Sequence, residues 1–277
     1  MTMKRFSLGN IFRLVALLFV AALIILPLLA TILGGFKTSG QLRVSPFSLP
    51  DVWHMEFYGA ILGSSSFWHY LWNSFFISMA TVFLTLIVAG MAAYVFSQIR
   101  FIGSRFLMSY LLLGMMFPFA AAIVPLFITV RNVGLLDTSW GVILPQVAFG
   151  LGFSTLLFKT FFDQLPRELF EAARVDGCGY IRFFFRFTLP LSTPILGTVA
   201  VFVFVTSWNN YLLPLVIINS DKAYPWTLGM MQYRGQYVVE WNRILAFVTL
   251  TLIPAVIFFF AAQRYIVAGL TGGAVKG

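Results

Sequence analysis

The sequence predicts an all-α membrane protein that crosses the bilayer with six helices. The chain is 60% hydrophobic and 10% charged with a mean hydropathy of +0.92, which leaves too little polar surface to cover a soluble globule of 277 residues. A membrane-spanning helix needs about 20 predominantly apolar residues. Six runs approach or exceed that length, at residues 14–33, 70–97, 106–130, 140–161, 191–218 and 244–262.

The first run follows a basic N-terminal segment, a pattern that also occurs in cleaved signal peptides. Its apolar stretch over 14–33 is longer than the core of about 7 to 15 residues that signal peptides have. We therefore expect a retained first helix. The next segment, 37–69, carries charges and is interrupted by Ser, Pro and Gly, so we expect it outside the membrane.

The distribution of basic residues predicts the orientation of the spans. Twelve of the 18 Lys and Arg residues fall on one side of the six spans. They are Lys4, Arg5, Arg13, Arg100, Arg105, Lys159, Arg167, Arg174, Arg182, Arg186, Arg264 and Lys276. Because basic loops stay in the cytoplasm, both termini are expected there. The net charge of +9 follows from this bias and from attraction to the anionic inner leaflet, so no nucleic-acid partner is required.

Acidic, basic and histidine side chains are absent from the six spans, except for Lys159 near the end of the fourth. Ion-coupled carriers need such groups inside the membrane, and intramembrane enzymes need a catalytic or metal-ligating constellation. The lone Cys178 excludes an internal disulfide, and His54 and His69 are expected as interface anchors rather than ligands. No phosphate-loop spacing occurs either, so we expect this chain to bind no ATP, cofactor or metal.

Charge is concentrated in the loop between the fourth and fifth spans. Eight charged residues lie there, namely Asp163, Arg167, Glu168, Glu171, Arg174, Asp176, Arg182 and Arg186. We expect a short helix over 164–176, with Asp163 as its N-cap and Gly177 in the left-handed position after its end.

One face of this loop helix is suited to a partner. Leu169, Ala172 and Ala173 would form a small apolar patch flanked by charge, the shape that fits a groove in another protein. The following segment, 180–187, combines arginines with phenylalanines and is expected at the membrane interface.

The loop carries a family resemblance. Glu171-Ala172-Ala173, Gly177 and Leu189-Pro190 resemble, in order and spacing, the cytoplasmic loop signature of permease subunits of bacterial ATP-binding-cassette (ABC) importers. The family usually has isoleucine two residues before Leu-Pro, where this chain has Phe187. The C-terminal segment over 263–277 is similar to the tail of the carbohydrate uptake branch, and within it to the maltose-type second permease with six helices.

The resemblance implies a type I ABC importer transmembrane fold. A single transmembrane domain would occupy 1–277, with a permease core over 66–265 and a coupling loop over 163–188. The implied assembly is a bacterial inner-membrane complex with a sister permease as heterodimer, two cytoplasmic ATPase subunits that bind ATP and Mg²⁺, and an extracytoplasmic solute-binding protein. The implied cargo is a sugar or oligosaccharide, moved by alternating access.

The resemblance also implies roles for two sets of residues. The coupling set is Glu171, Ala172, Ala173, Gly177, Leu189 and Pro190, in which the glutamate would anchor a coupling helix in a cleft of the ATPase. The tail expected to insert between the ATPase subunits is Gly273, Ala274, Val275, Lys276 and Gly277.

A candidate substrate path lies in the fifth span. Its polar and aromatic residues are Thr206, Trp208, Asn209, Asn210 and Tyr211. On a continuous helix Thr206 and Asn210 would share one face, where an amide could bond sugar hydroxyls. Helix packing together with an aromatic belt at the outer interface explains the same residues.

Three alternatives stay open at this point. Related permeases carry polyols or glycerol phosphate, so the cargo could belong to that class. A non-ABC carrier would transport solute without an ATPase. A membrane scaffold would bind an ATPase without any path for solute.

Overall fold

The computed structural model describes residues 8–235 and 237–272, and the all-α prediction is confirmed. Within those residues the β pairing is an isolated bridge between Arg234 and Val239. The helices are α1 (Leu8–Gly34), α2 (Ser39–Val44), α3 (Met55–Leu62), α4 (Ser65–Gln98), α5 (Ser104–Leu113), α6 (Phe119–Asn132), α7 (Ser139–Phe162), α8 (Arg167–Val175), α9 (Tyr180–Phe183), α10 (Leu189–Leu191), α11 (Thr193–Trp208), α12 (Leu212–Ile217), α13 (Trp226–Gly229) and α14 (Trp241–Gly272). A π-helical turn, Phe184–Thr188, follows α9.

Four of these helices are long and apolar enough to cross a membrane unbroken, namely α1, α4, α7 and α14. Two further candidates are bent pairs: Ser104–Met116 with Phe119–Asn132 at 104°, and Tyr180–Leu191 with Thr193–Trp208 at 82°. Counting each pair as one span gives the six expected from the sequence. The third and fifth spans are therefore not the continuous helices that hydropathy alone predicts.

The break in the third span lies at Phe117 and Pro118. A 3₁₀ turn over Gly114–Met116 tightens the end of α5, and Phe117 then adopts an extended conformation. Pro118 precedes α6 with φ −67° and ψ 120°. Proline disfavours helical geometry in the residue before it and has no N–H to continue a helix, so the span breaks here.

The prediction of a continuous helix over 191–218 for the fifth span is wrong, because α11 ends at Trp208. Pro214 could not donate to the carbonyl of Asn210 in a continuous helix, and its ring would clash with that carbonyl. The Asn210 carbonyl instead accepts a bond of 2.9 Å from the Thr227 hydroxyl. Its side-chain Oδ1 accepts from the N–H of Leu213 (3.2 Å), in the first turn of α12. Asn210 is therefore a connector residue, and it does not follow Thr206 along a helical face.

The described residues form two compact units, the first made of 8–67 with 230–235 and 237–253. In this unit a Cβ on Gly35 would collide with the Tyr58 hydroxyl and come within 2.8 Å of Cα of Ala246, so the close approach requires glycine. Burial raises the pKa of the Tyr58 phenol, which donates to the carbonyl of Ile32 (2.8 Å). Lys37 is fully buried, and its ammonium group donates to two carbonyls of the following loop.

The described residues of the second unit are 68–229 and 254–272. Its core is one hydrophobic cluster drawn from α4, α7, α8, α9, the π-helical turn and α11. We call this the core cluster. Its buried members are Val82, Ala89, Ala93, Tyr94, Phe158, Phe162, Ala173, Phe183, Phe184, Ile195, Val199, Val203, Phe204 and Trp208. Ala89 and Ala93 of α4 and Phe184 of the π-helical turn are all buried in this cluster.

Candidate functional site

The charged loop forms a short helix, α8, whose C-terminal end has the predicted geometry. Gly177 has φ +74°, which confirms the left-handed position. Its N–H bonds the carbonyl of Arg174 (3.0 Å), and the N–H of Cys178 bonds the carbonyl of Ala173 (2.8 Å). This pair of bonds is a Schellman motif, in which glycine avoids the steric cost of a Cβ.

The predicted start of this helix is wrong. Helix α8 begins at Arg167 after Pro166, not at residue 164, and no side chain caps it. Asp163 is the C-cap of α7 instead, and its carboxylate pairs with Lys159 at 2.6 Å. An i, i+4 partner in the last turn of α7 holds this aspartate, so it is not free to cap the next helix.

The three side chains of the predicted apolar patch do not lie on one face of α8. Ala173 is 8% exposed and belongs to the core cluster, so it faces inward. Leu169 and Ala172 face outward with Val175, which is 88% exposed. Glu171 is exposed on this outer side and makes no ion pair with the residues that the structure describes. An unpaired carboxylate beside small apolar side chains is available to a partner.

The segment after α8 is more buried than an interfacial segment. Phe183 and Phe184 are 5% and 2% exposed in the core cluster, whereas Phe185 and Phe187 are exposed. Phe183 stands edge-on to Phe170 of α8, with ring centroids 5.1 Å apart. Phe183 and Phe184 therefore face the protein core, and the interfacial position of 180–187 stays a prediction.

The coupling residues after the loop lie where this segment joins α11. Leu189 packs against the core cluster, while Pro190 is exposed at the start of α10. The guanidinium of Arg174 lies 5.6 Å from the ring centroid of Tyr180 and 6.0 Å from that of Phe170, which ties the end of α8 to α9.

The core cluster connects α8 to a cavity elsewhere in the second unit. Ala173 at one end and Val203 at another are members of the same cluster, and Val203 also lines the cavity. Close-packed interiors transmit displacement because they have few voids to absorb it. A force on α8 would therefore reach the cavity wall through contiguous packing.

The cavity has a volume of about 460 Å³, and aromatic rings and polar side chains both line it. The lining rings are Phe117, Phe119, Phe149, Phe153 and Phe202. The polar lining residues are Thr81, Gln146, Thr206, Ser207 and Asn210, and no acidic or basic side chain of the described residues lines the cavity. Rings with hydroxyl and amide groups suit a neutral, hydroxylated solute that stacks and hydrogen-bonds.

Gln146 is the centre of the polar wall. Its Oε1 accepts a bond of 2.5 Å from the Ser207 hydroxyl of α11 and one of 3.3 Å from the Thr81 hydroxyl of α4. Its Nε2 is buried and has no hydrogen-bond partner among the described atoms. An unpaired buried amide costs about 1 to 3 kcal/mol.

The predicted substrate path is only partly assembled here. Thr206 and Asn210 line the cavity, whereas Trp208, Asn209 and Tyr211 do not. Trp208 is 3% exposed and stacks on Phe204 in the core cluster. Asn209 is exposed, and its side chain donates to the carbonyl of Val205 (2.8 Å).

Sequence reasoning missed Gln146, Thr81 and Ser207 as cavity residues. A signal for the first was present, because Gln146 is the one amide in the run 140–161. An uncharged amide inside a span is also a candidate solute-binding group, even though it is not ionisable. Nothing in the sequence brings Thr81 next to this amide, because that contact joins separate helices.

The C-terminal tail and the two histidines are the remaining features predicted from the sequence. The tail residues 273–277 lie outside the described residues. Among those that are described, no group of His, Cys, Asp and Glu could hold a metal ion. His54 contacts Glu56 at 2.5 Å, and His69 contacts the carbonyl of Lys222.

Comparison with known proteins identifies the family. Residues 85–272 match the family described as "binding-protein-dependent transport system inner membrane component". The chain belongs to this family. The matched range is well over half of the chain and includes α8, Gln146 and Thr206 of this permease.

Curated relatives cover nearly the whole length of the permease. It is 34% identical to the diacetylchitobiose uptake system permease protein NgcG of Streptomyces coelicolor, over 92% of this chain and 85% of that protein. It is 33% identical to the arabinooligosaccharides transport system permease protein AraQ of Halalkalibacterium halodurans, over 94% of each chain.

A solved structure shares the fold. It is described as a bacterial ABC transporter involved in the import of the acidic polysaccharide alginate. The similarity has a TM-score of 0.82 at 22% identity, and it covers 96% of this chain and 99% of that one. The type I ABC importer permease fold is thereby confirmed for this chain.

Proposed function

We propose that this permease is the transmembrane subunit of an ATP-driven ABC importer for a sugar or oligosaccharide. The observation that carries the proposal is the cavity of about 460 Å³, which combines aromatic rings with hydroxyl and amide groups. Sugars are bound through their hydroxyl groups and through stacking of their apolar ring faces on such side chains. Relatives named for uptake of diacetylchitobiose and arabinooligosaccharides support the same cargo class.

The cavity chemistry favours a neutral cargo over glycerol phosphate. A phosphate group taken out of water needs a cation or several fixed donors. Within the part of the chain that the structure describes, no basic side chain lines the cavity, so a phosphorylated solute would find no charged partner among these residues. An uncharged polyol remains compatible, because it presents the same hydroxyl groups.

The energy source in this proposal lies outside the chain. ATP and Mg²⁺ would bind two partner ATPase subunits, and this chain would hold no cofactor and catalyse no reaction. Exposed Glu171 and the small apolar side chains beside it on α8 would dock into one ATPase. A sister permease would complete a heterodimer, and an extracytoplasmic solute-binding protein would deliver the cargo.

Movement of α8 would drive the change between inward-open and outward-open states. ATP binding closes the ATPase dimer and draws the docked helices together, and hydrolysis resets them. The route inside this chain is the core cluster, which includes Ala173 of α8 and the cavity-lining Val203. Both termini would lie in the cytoplasm, as the basic residues predict.

Uptake into proteoliposomes tests the proposal. The chain is reconstituted with its sister permease, the ATPase and the binding protein, and radiolabelled neutral oligosaccharides are offered with and without internal ATP. We expect ATP-dependent uptake of at least one neutral oligosaccharide and none of glycerol phosphate. Uptake without ATPase would identify a carrier, and ATPase binding without uptake of any solute would identify a scaffold.

A further inference from the structure

A second cavity of about 680 Å³ lies where the chain passes from α4 to α5, beside the end of α7. Its charged lining residues are Arg100, Arg105, Lys159, Asp163 and Arg167. We call it the basic cavity. It shares no lining residue with the cavity that contains Gln146, and nothing in the transport mechanism uses it.

The basic cavity holds an uncompensated positive charge. Lys159 and Asp163 neutralise each other at 2.6 Å. Arg100, Arg105 and Arg167 make no hydrogen bond or ion pair through their side chains within the described part of the chain. Four cations and one carboxylate leave three positive charges in excess. Like charges in one concave site raise the local concentration of anions, and the guanidinium fork matches phosphate oxygens.

The start of α5 adds to this potential. Gly103 precedes the helix with φ +88°, the N–H of Ser104 bonds the carbonyl of Phe101 (3.4 Å), and no side chain of the described residues caps the first turn. Gly103, Ser104 and Arg105 all line the basic cavity. The positive end of the helix dipole therefore acts in the same place as the arginines.

An apolar stripe leads away from the basic cavity and distinguishes the possible anions. Phe106 lines the cavity and is 73% exposed. Tyr110 and Leu113 continue along the same face of α5 and are 69% and 61% exposed. A soluble anion has no apolar part that could contact such a stripe, whereas a lipid has a charged headgroup joined to apolar chains.

We propose that the basic cavity binds the phosphate headgroup of an anionic phospholipid, whose acyl chains lie along the exposed face of α5. The site is at the predicted cytoplasmic end of the spans, where the leaflet is anionic and basic pockets between helices take such headgroups. The bound lipid also contacts the coupling region, because Arg167 is the first residue of α8. Its placement in the inner leaflet rests on the orientation given under the proposed function.

Native mass spectrometry of the purified permease complex tests this binding without measuring transport. The complex is delipidated and titrated with phosphatidylglycerol or phosphatidylcholine of the same acyl chains. We expect preferential retention of phosphatidylglycerol. In Arg100→Gln/Arg105→Gln its affinity should fall about 25-fold, since each basic residue near an anionic membrane surface contributes roughly fivefold, or about 1 kcal/mol.

Two further variants control for charge and for folding. Arg131→Gln removes an exposed arginine at the opposite end of the same bent pair and should leave the affinity unchanged. Arg100→Lys/Arg105→Lys keeps the charge and should retain most of the preference, so a lost preference in the glutamine variant is then not a folding defect.

Three results would overturn the proposal. One is equal retention of phosphatidylglycerol by the wild-type and glutamine-substituted complexes. Another is displacement of the lipid by inorganic phosphate at equal concentration, which would make this a site for a soluble anion. The third is unchanged lipid binding together with loss of the ATPase from the glutamine variant, which would make the arginines a protein contact. Failure of sugar uptake would leave the lipid result unaffected.

Discussion

Ser207 donates a hydrogen bond of 2.5 Å to Oε1 of Gln146 and so joins α11 to α7 at the wall of the cavity of about 460 Å³. Val203, one turn earlier on α11, belongs to the core cluster that also contains Ala173 of α8. Helix α11 therefore carries part of the polar wall and packs in the same core as the charged loop. This arrangement gives a physical route by which the proposed docking at α8 would change the shape of the cavity.

Gln146→Leu should reduce uptake about tenfold per assembled complex. The substitution removes the acceptor of the Ser207 and Thr81 hydroxyls and the unpaired Nε2, and one such group is worth about 1 to 3 kcal/mol. Ser207→Ala should cost less. If Ser207 acts by holding Gln146, the double variant should be no worse than Gln146→Leu alone. Fully additive losses of uptake would show that Ser207 and Gln146 act independently.

Asn210→Asp tests whether this residue meets the solute or only supports the connector. Aspartate keeps an oxygen that can accept from the N–H of Leu213, but it places a charge at the cavity wall. We expect impaired uptake per complex with normal assembly. Asn209→Asp is the matched control, because Asn209 is exposed and does not line the cavity. Equal uptake by both variants would remove Asn210 from the site.

Gly177→Ala should weaken coupling, because a left-handed conformation costs a non-glycine residue roughly 1 to 2 kcal/mol. The Schellman motif at the end of α8 would loosen, and stimulated ATPase activity and uptake should fall together. Gly179→Ala is the control: Gly179 has φ −73°, and a Cβ there meets nothing within 4 Å. Equal effects at the two glycines would argue against a conformational role for Gly177.

The sequence was sufficient for features that depend on local chemistry. The end of α8 was predicted because Gly177 is the residue type that a left-handed position favours, and the membrane class followed from composition. The start of α8 was not predicted correctly, because Asp163 could either cap α8 or pair with Lys159. In the structure it pairs with Lys159. The helical face predicted to be shared by Thr206 and Asn210 was wrong, because α11 ends at Trp208, although both residues line the cavity. The domain boundaries and the roles of the coupling and tail residues stay predictions.

Glu171→Ala should uncouple the assembly without unfolding this chain. Glu171 is exposed and unpaired within the described residues, so its loss removes no internal contact. We expect weaker ATPase binding and a collapse of stimulated ATPase activity and uptake. Glu168→Ala is the matched control on the same helix, as Glu168 is also exposed. Near-wild-type uptake in Glu171→Ala would overturn the proposed anchor.

Cys178 allows the orientation to be tested, because it is the single cysteine of the chain and is only partly buried. A membrane-impermeant maleimide should label it in inside-out vesicles and not in intact spheroplasts, since the charged loop is predicted in the cytoplasm. The control is Cys178→Ser/Tyr237→Cys, which moves the thiol to a position that is 90% exposed in the predicted outer loop. This variant should be labelled in spheroplasts and protected in inside-out vesicles. Labelling of Cys178 from outside would reverse the orientation, and α8 could then not dock a cytoplasmic ATPase.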